Sequence, residues 1–379
     1  MSRGLGDVYK RQVLAGAVAD GDAGGITRFV SWPLAGGAPR VIAALPAGWS
    51  AIDAQGERVA FERDGVVFLR PLEAPPGARA RRLGEMSEGV HWPLQFSPGG
   101  ELLAVGEREG RLSLYPTGED PGAEPRVLGM PNPEEQFSPA FDPSGRRLAW
   151  GSGADRSVTV WQLDDPPDAD PLVLRRPDAG QTKQALFHPS TDWLAVMLGS
   201  TVGIWALGQP RVRVIRRHQD RVTRLAFTPD VRWLLSCAPD GIGYGPLEAG
   251  RSPANGLLVD EYCYGGPALS PDGRRMLFGK PGGVPLVSLP EGVVRPLDPD
   301  HPQAAVSTVA FDPSGRRAAT ATTYSEAKDK VLRIWDLETG TFRSLSLVPP
   351  GEPEYDFYDW GVWGLVWTPD GSLIAAGYG

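Results

Sequence analysis

The sequence predicts an all-β protein made of many short strands, and three observations carry that reading. Glycine (48) and proline (38) together supply 86 of the 379 residues, about 23% against a usual ~12%. Hydrophobic residues reach 41%, which is too much apolar material for a disordered chain, and no Gly-X-Y period is present, which excludes collagen. A turn-forming pentapeptide recurs along the body of the chain, while no segment shows sustained helical periodicity.

The elements follow in order. Residues 1–12, MSRGLGDVYKRQ, are set aside: the run 6–12 resembles a translated transposase adapter from sequencing libraries. The natural start is then expected to be missing, and the final run Ser372–Gly379 reads as a strand without a following partner, so a fragment cut at both ends is expected. Residues 13–379 are read as one domain. Residues 13–45 supply the later strands of a partial unit. The repeat pentapeptide is a large apolar residue, any residue, Pro, a polar residue and Gly. It stands at Phe96–Gly100, Phe141–Gly145, Leu269–Gly273, Phe311–Gly315 and Trp367–Gly371. Phe187–Thr191 and Phe227–Val231 lack the glycine, and Ile52–Gly56 lacks the proline. The last positions of these runs lie 44, 45, 46, 40, 42, 42 and 56 residues apart.

Each unit reads as two hairpins. Pro presets φ at the turn corner and Gly tolerates positive φ beside it. An alternating run precedes the turn (Val306–Phe311) and an apolar run follows it (Leu102–Val105, Leu194–Met197). A second turn comes next (Asp64-Gly65, Glu109-Gly110, Asp240-Gly241), then a third strand (Ser157–Trp161, Val331–Trp335) and a fourth, more polar one (Arg211–Ile215). Four antiparallel strands per repeat of this length is the signature of a β-propeller blade. Seven units run complete, from Trp49 to Leu347, and residues 362–379 open a further one. The partial sets at the two ends are expected to share a blade and close an eight-bladed ring; a seven-bladed ring with overhangs is the alternative.

Composition excludes several functions. Net charge is −8 and the pI is 5.2, so nothing points to a nucleic-acid binder. No stretch reaches the ~20 apolar residues of a membrane helix. Five of the 38 basic residues are lysines, leaving 33 arginines, a bias common in GC-rich bacterial genomes and read as codon usage. Cys237 and Cys263 cannot make a disulfide framework or a Cys-based metal site. Read as unpaired thiols, and with no visible leader, they give the cytoplasm as the default compartment. His91, His188, His218 and His301 share no ligand spacing, so no metal is expected. No GxSxG, P-loop or dinucleotide motif occurs, so no catalytic residue and no cofactor is assigned. Gly241–Gly245 reads as strand flexibility, 164–170 as a solvated acidic connector, and 79–82 as a local basic connector.

Here the units resemble WD repeats, over nearly all of residues 13–379. Trp161-Gln162-Leu163, Trp205-Ala206-Leu207 and Trp335-Asp336-Leu337 stand where that family has its Trp-Asp dipeptide. Asp155 and Asp329 each precede their Trp by six residues. His218, Ser236 and Asp240 match three members of the family's His–Ser/Thr–Asp–Trp network, with Pro246 at the expected Trp. His301, Thr320, Asp329 and Trp335 match all four, His301 lying one residue further upstream than usual. Elsewhere Tyr115 takes the Trp place and Glu109 the Asp place. The resemblance implies a rigid, non-catalytic platform for protein or peptide partners, expected as a monomeric ring. Divergent, Arg-rich units of this kind also resemble the C-terminal propellers of large bacterial multidomain proteins, some with a kinase or ATPase upstream. The alternative is a propeller enzyme or an accessory domain such as a lyase or peptidase gate.

One insertion stands out. Residues 349–361 lengthen the last interval and bring Tyr355, Phe357, Tyr358 and Trp360, followed by Trp363, among Glu354, Asp356 and Asp359. The long turn 322–330, with Tyr324, belongs to the preceding unit. In WD-type propellers these two kinds of loop share a face. Tyr324, Tyr355, Phe357, Tyr358, Trp360 and Trp363 are therefore the candidate partner-binding residues.

Overall fold

The computed structural model describes residues 26–32, 40–46, 50–75, 78–86, 94–106, 111–118, 120, 123–129, 139–152, 157–166, 168–175, 182–208, 212–247, 258–263, 266–289, 291–297, 306–322, 331–346, 362–367 and 373–378. Among the described residues there is no helix. Strands β1 (Ile26–Trp32) and β2 (Arg40–Pro46) come first. The first sheet holds β3 to β6 (Ser50–Ile52, Arg58–Arg63, Val66–Pro71, Arg81–Glu85) and the second β7 to β10 (Gln95–Phe96, Leu102–Gly106, Arg111–Pro116, Arg126–Gly129). The third holds β11 to β14 (Ala140–Phe141, Arg147–Ser152, Ser157–Gln162, Leu172–Arg175) and the fourth β15 to β18 (Thr182–Phe187, Trp193–Leu198, Thr201–Ala206, Val212–Arg217). The fifth has β19 to β21 (Arg224–Phe227, Trp233–Ala238, Gly241–Pro246). The sixth holds β22 to β25 (Ala268–Leu269, Arg275–Leu277, Pro285–Ser288, Val294–Pro296) and the seventh β26 to β29 (Val306–Phe311, Arg317–Thr322, Val331–Asp336, Phe342–Ser346). Strands β30 (Val362–Trp367) and β31 (Leu373–Tyr378) complete the list.

Every pairing is antiparallel, and within each sheet consecutive strands are neighbours, with one exception. The last sheet has the order β2-β1-β31-β30, so strands from both ends of the chain lie in one sheet. Thr27 faces Tyr378 and Trp32 faces Leu373 across that junction. The partial units at the two ends thus share a sheet, which removes two open edges.

Apolar side chains fill the seams between consecutive sheets. Ala51, Leu69 and Met86 of the first sheet pack on Phe96, Leu103 and Tyr115 of the second. The same pairing continues from second to third, third to fourth and onward. Leu365 of the closing sheet packs on Ala319, Leu332 and Ile334 of the seventh, and Phe29, Ala43 and Leu45 pack on Ile52, Val59 and Phe61 of the first. The seams therefore run in a full circle. Because each sheet is covered on both faces, inner strands are apolar without strict alternation: β20 is buried from Leu234 to Ala238 and β21 throughout. Outer strands are the more solvated, with β6 partly exposed and β25 exposed throughout, in keeping with the polar fourth run of each repeat.

The fifth sheet departs from the expected four strands. Three are present among the described residues, and Leu258 and Val259 meet Ile242 at one end of β21 through two short backbone hydrogen bonds (2.8 and 2.9 Å).

Candidate functional site: seams, turns and loop face

The repeat pentapeptide is more specific than its sequence suggested. The position before Pro is not free: it holds Asp53, Ser97, Asp142, His188, Thr228, Ser270 and Asp312, all buried. Each polar side chain caps its own turn. Asp142 Oδ1 accepts the Arg147 amide at 2.8 Å, Asp312 Oδ1 the Arg317 amide at 2.9 Å, and Ser270 Oγ the Arg275 amide at 2.9 Å. Ser97 and Thr228 do the same for Leu102 and Trp233. His188 Nδ1 accepts the Ser190 amide at 3.2 Å. Gly56, Gly100, Gly145, Gly273 and Gly315 take the positive φ the turn requires, and Val231 takes it at φ 55°.

The arginine excess has a structural use that codon bias does not account for. Arg58, Arg147, Arg275 and Arg317 each open the second strand of a sheet and reach the next sheet. Arg58 pairs with Asp53 at 2.7 Å, donates to Gly100 O at 2.9 Å and lies over the Phe96 ring. Arg147 donates to the Asp192 carboxylate at 2.7 Å and lies over Phe187. Arg275 donates to Gly315 O at 2.8 Å and Arg317 lies over Trp367. A second set springs from fourth strands: Arg81 donates to Thr117 O and Gly118 O, Arg126 to Leu163 O, and Arg213 to Leu247 O while stacking on Trp193. A guanidinium suits this because its donors fork while its face stacks on rings.

The network residues partly converge. His218 Nδ1 lies 2.8 Å from Asp240 Oδ1 and Nε2 2.7 Å from Ser236 Oγ, with the Gln219 amide on the other Asp240 oxygen. Trp335 Nε1 donates to Thr320 Oγ1 at 2.9 Å. Trp161 is buried in the seam between second and third sheets. Asp155, His301 and Asp329 lie outside the described residues. One assignment is corrected: Gly245, not Pro246, stands in the Trp place. Gly245 faces Leu234 as Trp335 faces Ala318. A Cβ on Gly245 would sit 2.1 Å from Ile215 Cγ2, so the isoleucine of the preceding sheet fills that space.

The cysteines are also corrected. Cys237 on β20 and Cys263 form a disulfide, with Cα atoms 5.8 Å apart and both residues buried. No single strand pattern brings the two together in sequence, 26 positions apart. The cysteines are therefore not the unpaired thiols on which the cytoplasmic expectation partly stood. No helix among the described residues is long and apolar enough to cross a membrane.

A cleft of about 910 Å³ lies between the fifth and sixth sheets at the end carrying the Pro–Gly turns. Trp233 and Tyr244 stack face to face on one wall, ring centres 4.2 Å apart. Gly273, Arg274 and Leu289 form the other, with Asp230, Asp272 and Glu291 around it. Burial raises the Tyr244 phenol, and the negative charges of Asp230 and Glu291 raise it further. For Asp272, burial works upward but is outweighed by the Ser270 hydroxyl, the Arg274 amide and the charges of Arg275 and Arg274, so its carboxyl is lowered. His188 is lowered by burial, against the Val231 carbonyl that favours its charged form.

Tyr324, Tyr355, Phe357, Tyr358 and Trp360 lie outside the described residues; Trp363 sits on β30, its side chain outside them. Their anchor points are described. Val306 pairs with Thr322, Ala321 with Leu332 and Val331 with Ser346, so segments 323–330 and 347–361 leave from one end of the seventh sheet.

The family model described as "WD domain, G-beta repeat" matches residues 209–242 and 295–336. Each match begins at a fourth strand and ends at or near the third strand of the next sheet, and the two contain His218–Ser236–Asp240 and Thr320–Trp335. No curated protein matches the chain.

Proposed function

With WD repeats matched at two places in an all-strand propeller, we propose that this chain is a non-catalytic, monomeric platform that binds a protein or peptide partner through the face carrying segments 323–330 and 347–361. Propellers with WD repeats generally mediate protein–protein interaction and are typically non-catalytic. The observation that supports the choice of face is the common origin of the two segments: Thr322, Val331 and Ser346 share one sheet end, and β30 begins at Val362 beside β26. Tyr324, Tyr355, Phe357, Tyr358, Trp360 and Trp363 supply aromatic area there, and the intervening carboxylates select a basic or neutral partner.

The test compares wild type with a Tyr358→Ala, Trp360→Ala double variant in capture from the source organism's lysate. Loss of about 2 kcal/mol of binding to a captured partner, with unchanged circular dichroism and melting, is expected. Equal recovery of every partner, or a double variant that unfolds, contradicts the proposal and returns these rings to the core.

A further inference from the structure

Segment 258–263 lies between the fifth and sixth sheets and touches both. Leu258 and Val259 bond to Ile242 near the start of β21. Val259 and Cys263 are buried in one cluster with Leu235 and Tyr244 of the fifth sheet and Met276, Phe278 and Val287 on the side of the sixth. Glu261 pairs at 2.6 Å with Lys280, between β23 and β24. Leu258 lies so close to Gly292, between β24 and β25, that a Cβ there would meet its carbonyl oxygen at 2.9 Å. The covalent tie of this wedge to the sheet beside it is Cys263 to Cys237 on β20.

That bond uses both cysteines of the 379-residue sequence. A pair that works by thiol exchange keeps one sulfur open to an attacking thiolate. This pair is built the other way. Cys237 is 0% exposed and Cys263 2%, apolar side chains surround both, and the sequence holds no third cysteine to resolve an exchange. While the two sheets are packed, neither glutathione nor an oxidoreductase reaches the sulfurs. The bond is therefore made as the chain folds, before the seam closes, and the redox state around the folding chain decides whether it is made. Glutathione and thioredoxin hold cytosolic thiols reduced, whereas compartments outside the cytoplasm oxidise them. The Cα separation of 5.8 Å is the one disulfides favour.

We infer that this chain folds and acts outside the cytoplasm, in an oxidising compartment, with Cys237–Cys263 as a permanent staple of the seam between fifth and sixth sheets and not as a switch. This replaces the cytoplasmic expectation. It concerns where the molecule meets its partner, and it stands or falls independently of which face binds.

Cells of the source organism are separated into cytosolic and extracytoplasmic fractions, quenched in acid to stop thiol exchange, denatured and alkylated with a polyethylene glycol maleimide. The chain is then followed with an antiserum. It is expected in the extracytoplasmic fraction, with no adduct until reductant is added in denaturant and two adducts afterwards, one for each cysteine. Two adducts without reductant, or a bonded chain that travels with the cytosolic marker, overturns the inference. A second arm compares the full chain exported to a bacterial periplasm with the same chain retained in a reducing cytosol. The retained chain is expected to lose about tenfold in resistance to trypsin. A Cys237→Val, Cys263→Ala variant, which cannot form the bond, is expected to be digested at one rate from both sources. A retained wild-type chain that carries the bond and matches the exported one also overturns the inference, because the bond would then need no oxidising compartment.

Discussion

Arg147 of the third sheet holds Asp142 of its own turn at 3.3 Å and Asp192 of the fourth sheet at 2.7 Å, so one guanidinium closes a turn and a seam together. The two carboxylates differ in setting: the Asp142 side chain is 4% exposed and that of Asp192 78%. Arg147→Met leaves Asp142 buried without its counter-charge and is expected to cost about 2–4 kcal/mol. Asp192→Asn is expected to cost under ~1 kcal/mol, because its charge sits in water. Chemical denaturation of the two variants checks the contrast, and similar losses would mean the seam, not the turn, sets the value of this arginine.

Thr320 and Trp335 are both fully enclosed, and the indole N–H has the threonine hydroxyl as its partner. Thr320→Val keeps the shape and leaves that N–H unpaired, for an expected loss of ~1–3 kcal/mol. Thr320→Ser, which retains the acceptor, is expected to recover much of it. Thermal melting distinguishes the two.

His188 lies between the Trp193 and Phe227 rings, edge-on to each at 5.6 and 5.2 Å. Its folded-state proton affinity is lowered by burial, so the unfolded chain takes up the proton first. Its contribution is complete above the ordinary histidine range, near 6.5, and declines as pH falls through and below that range. Stability measured from pH 8 to pH 5 should therefore fall more in wild type than in His188→Gln. Parallel curves would mean this imidazole is not shielded from water.

The Cys237–Cys263 bond ties the segment after β21 back to β20, where the described part of the sheet has no fourth strand. Denatured, unreduced protein is expected to show no titratable thiol, and Cys237→Ala to lose about 2–4 kcal/mol. Two thiols per chain would contradict the pairing.

The strand plan was legible because Pro and Gly at a turn act locally: the pentapeptide marks the hairpin in every unit without reference to the rest of the chain. His218, Ser236 and Asp240 were legible for a similar reason, since the family spacing fixes which strand each occupies. What was not legible depends on neighbours across a seam. Arg58 and Gly100 lie 42 residues apart in sequence, and nothing in either local pattern announces the contact. The slot before Pro is Asp, Ser, Thr or His in all eight pentapeptides, seven of which are described as turns, and its restriction to cap-forming side chains is the signal that would have found it. Gly245 could not be told from Pro246 at the Trp place until the register with Leu234 was known. The two cysteines share no strand, so their pairing depends on how the chain returns to the sheet after β21. Tyr355, Phe357, Tyr358 and Trp360 stand out by composition, which says nothing of where such rings point.

The circle of sheets is closed by strands from the two ends of the chain, with Val30 of β1 directly opposite Ala375 of β31. Cysteines placed at these two positions should, under mild oxidation of the native protein, form an intramolecular cross-link seen as a faster-migrating monomer on a non-reducing gel, and should fail to form it once the chain is unfolded. A native protein that gives no such cross-link, or gives only cross-linked dimers, would contradict closure within one chain.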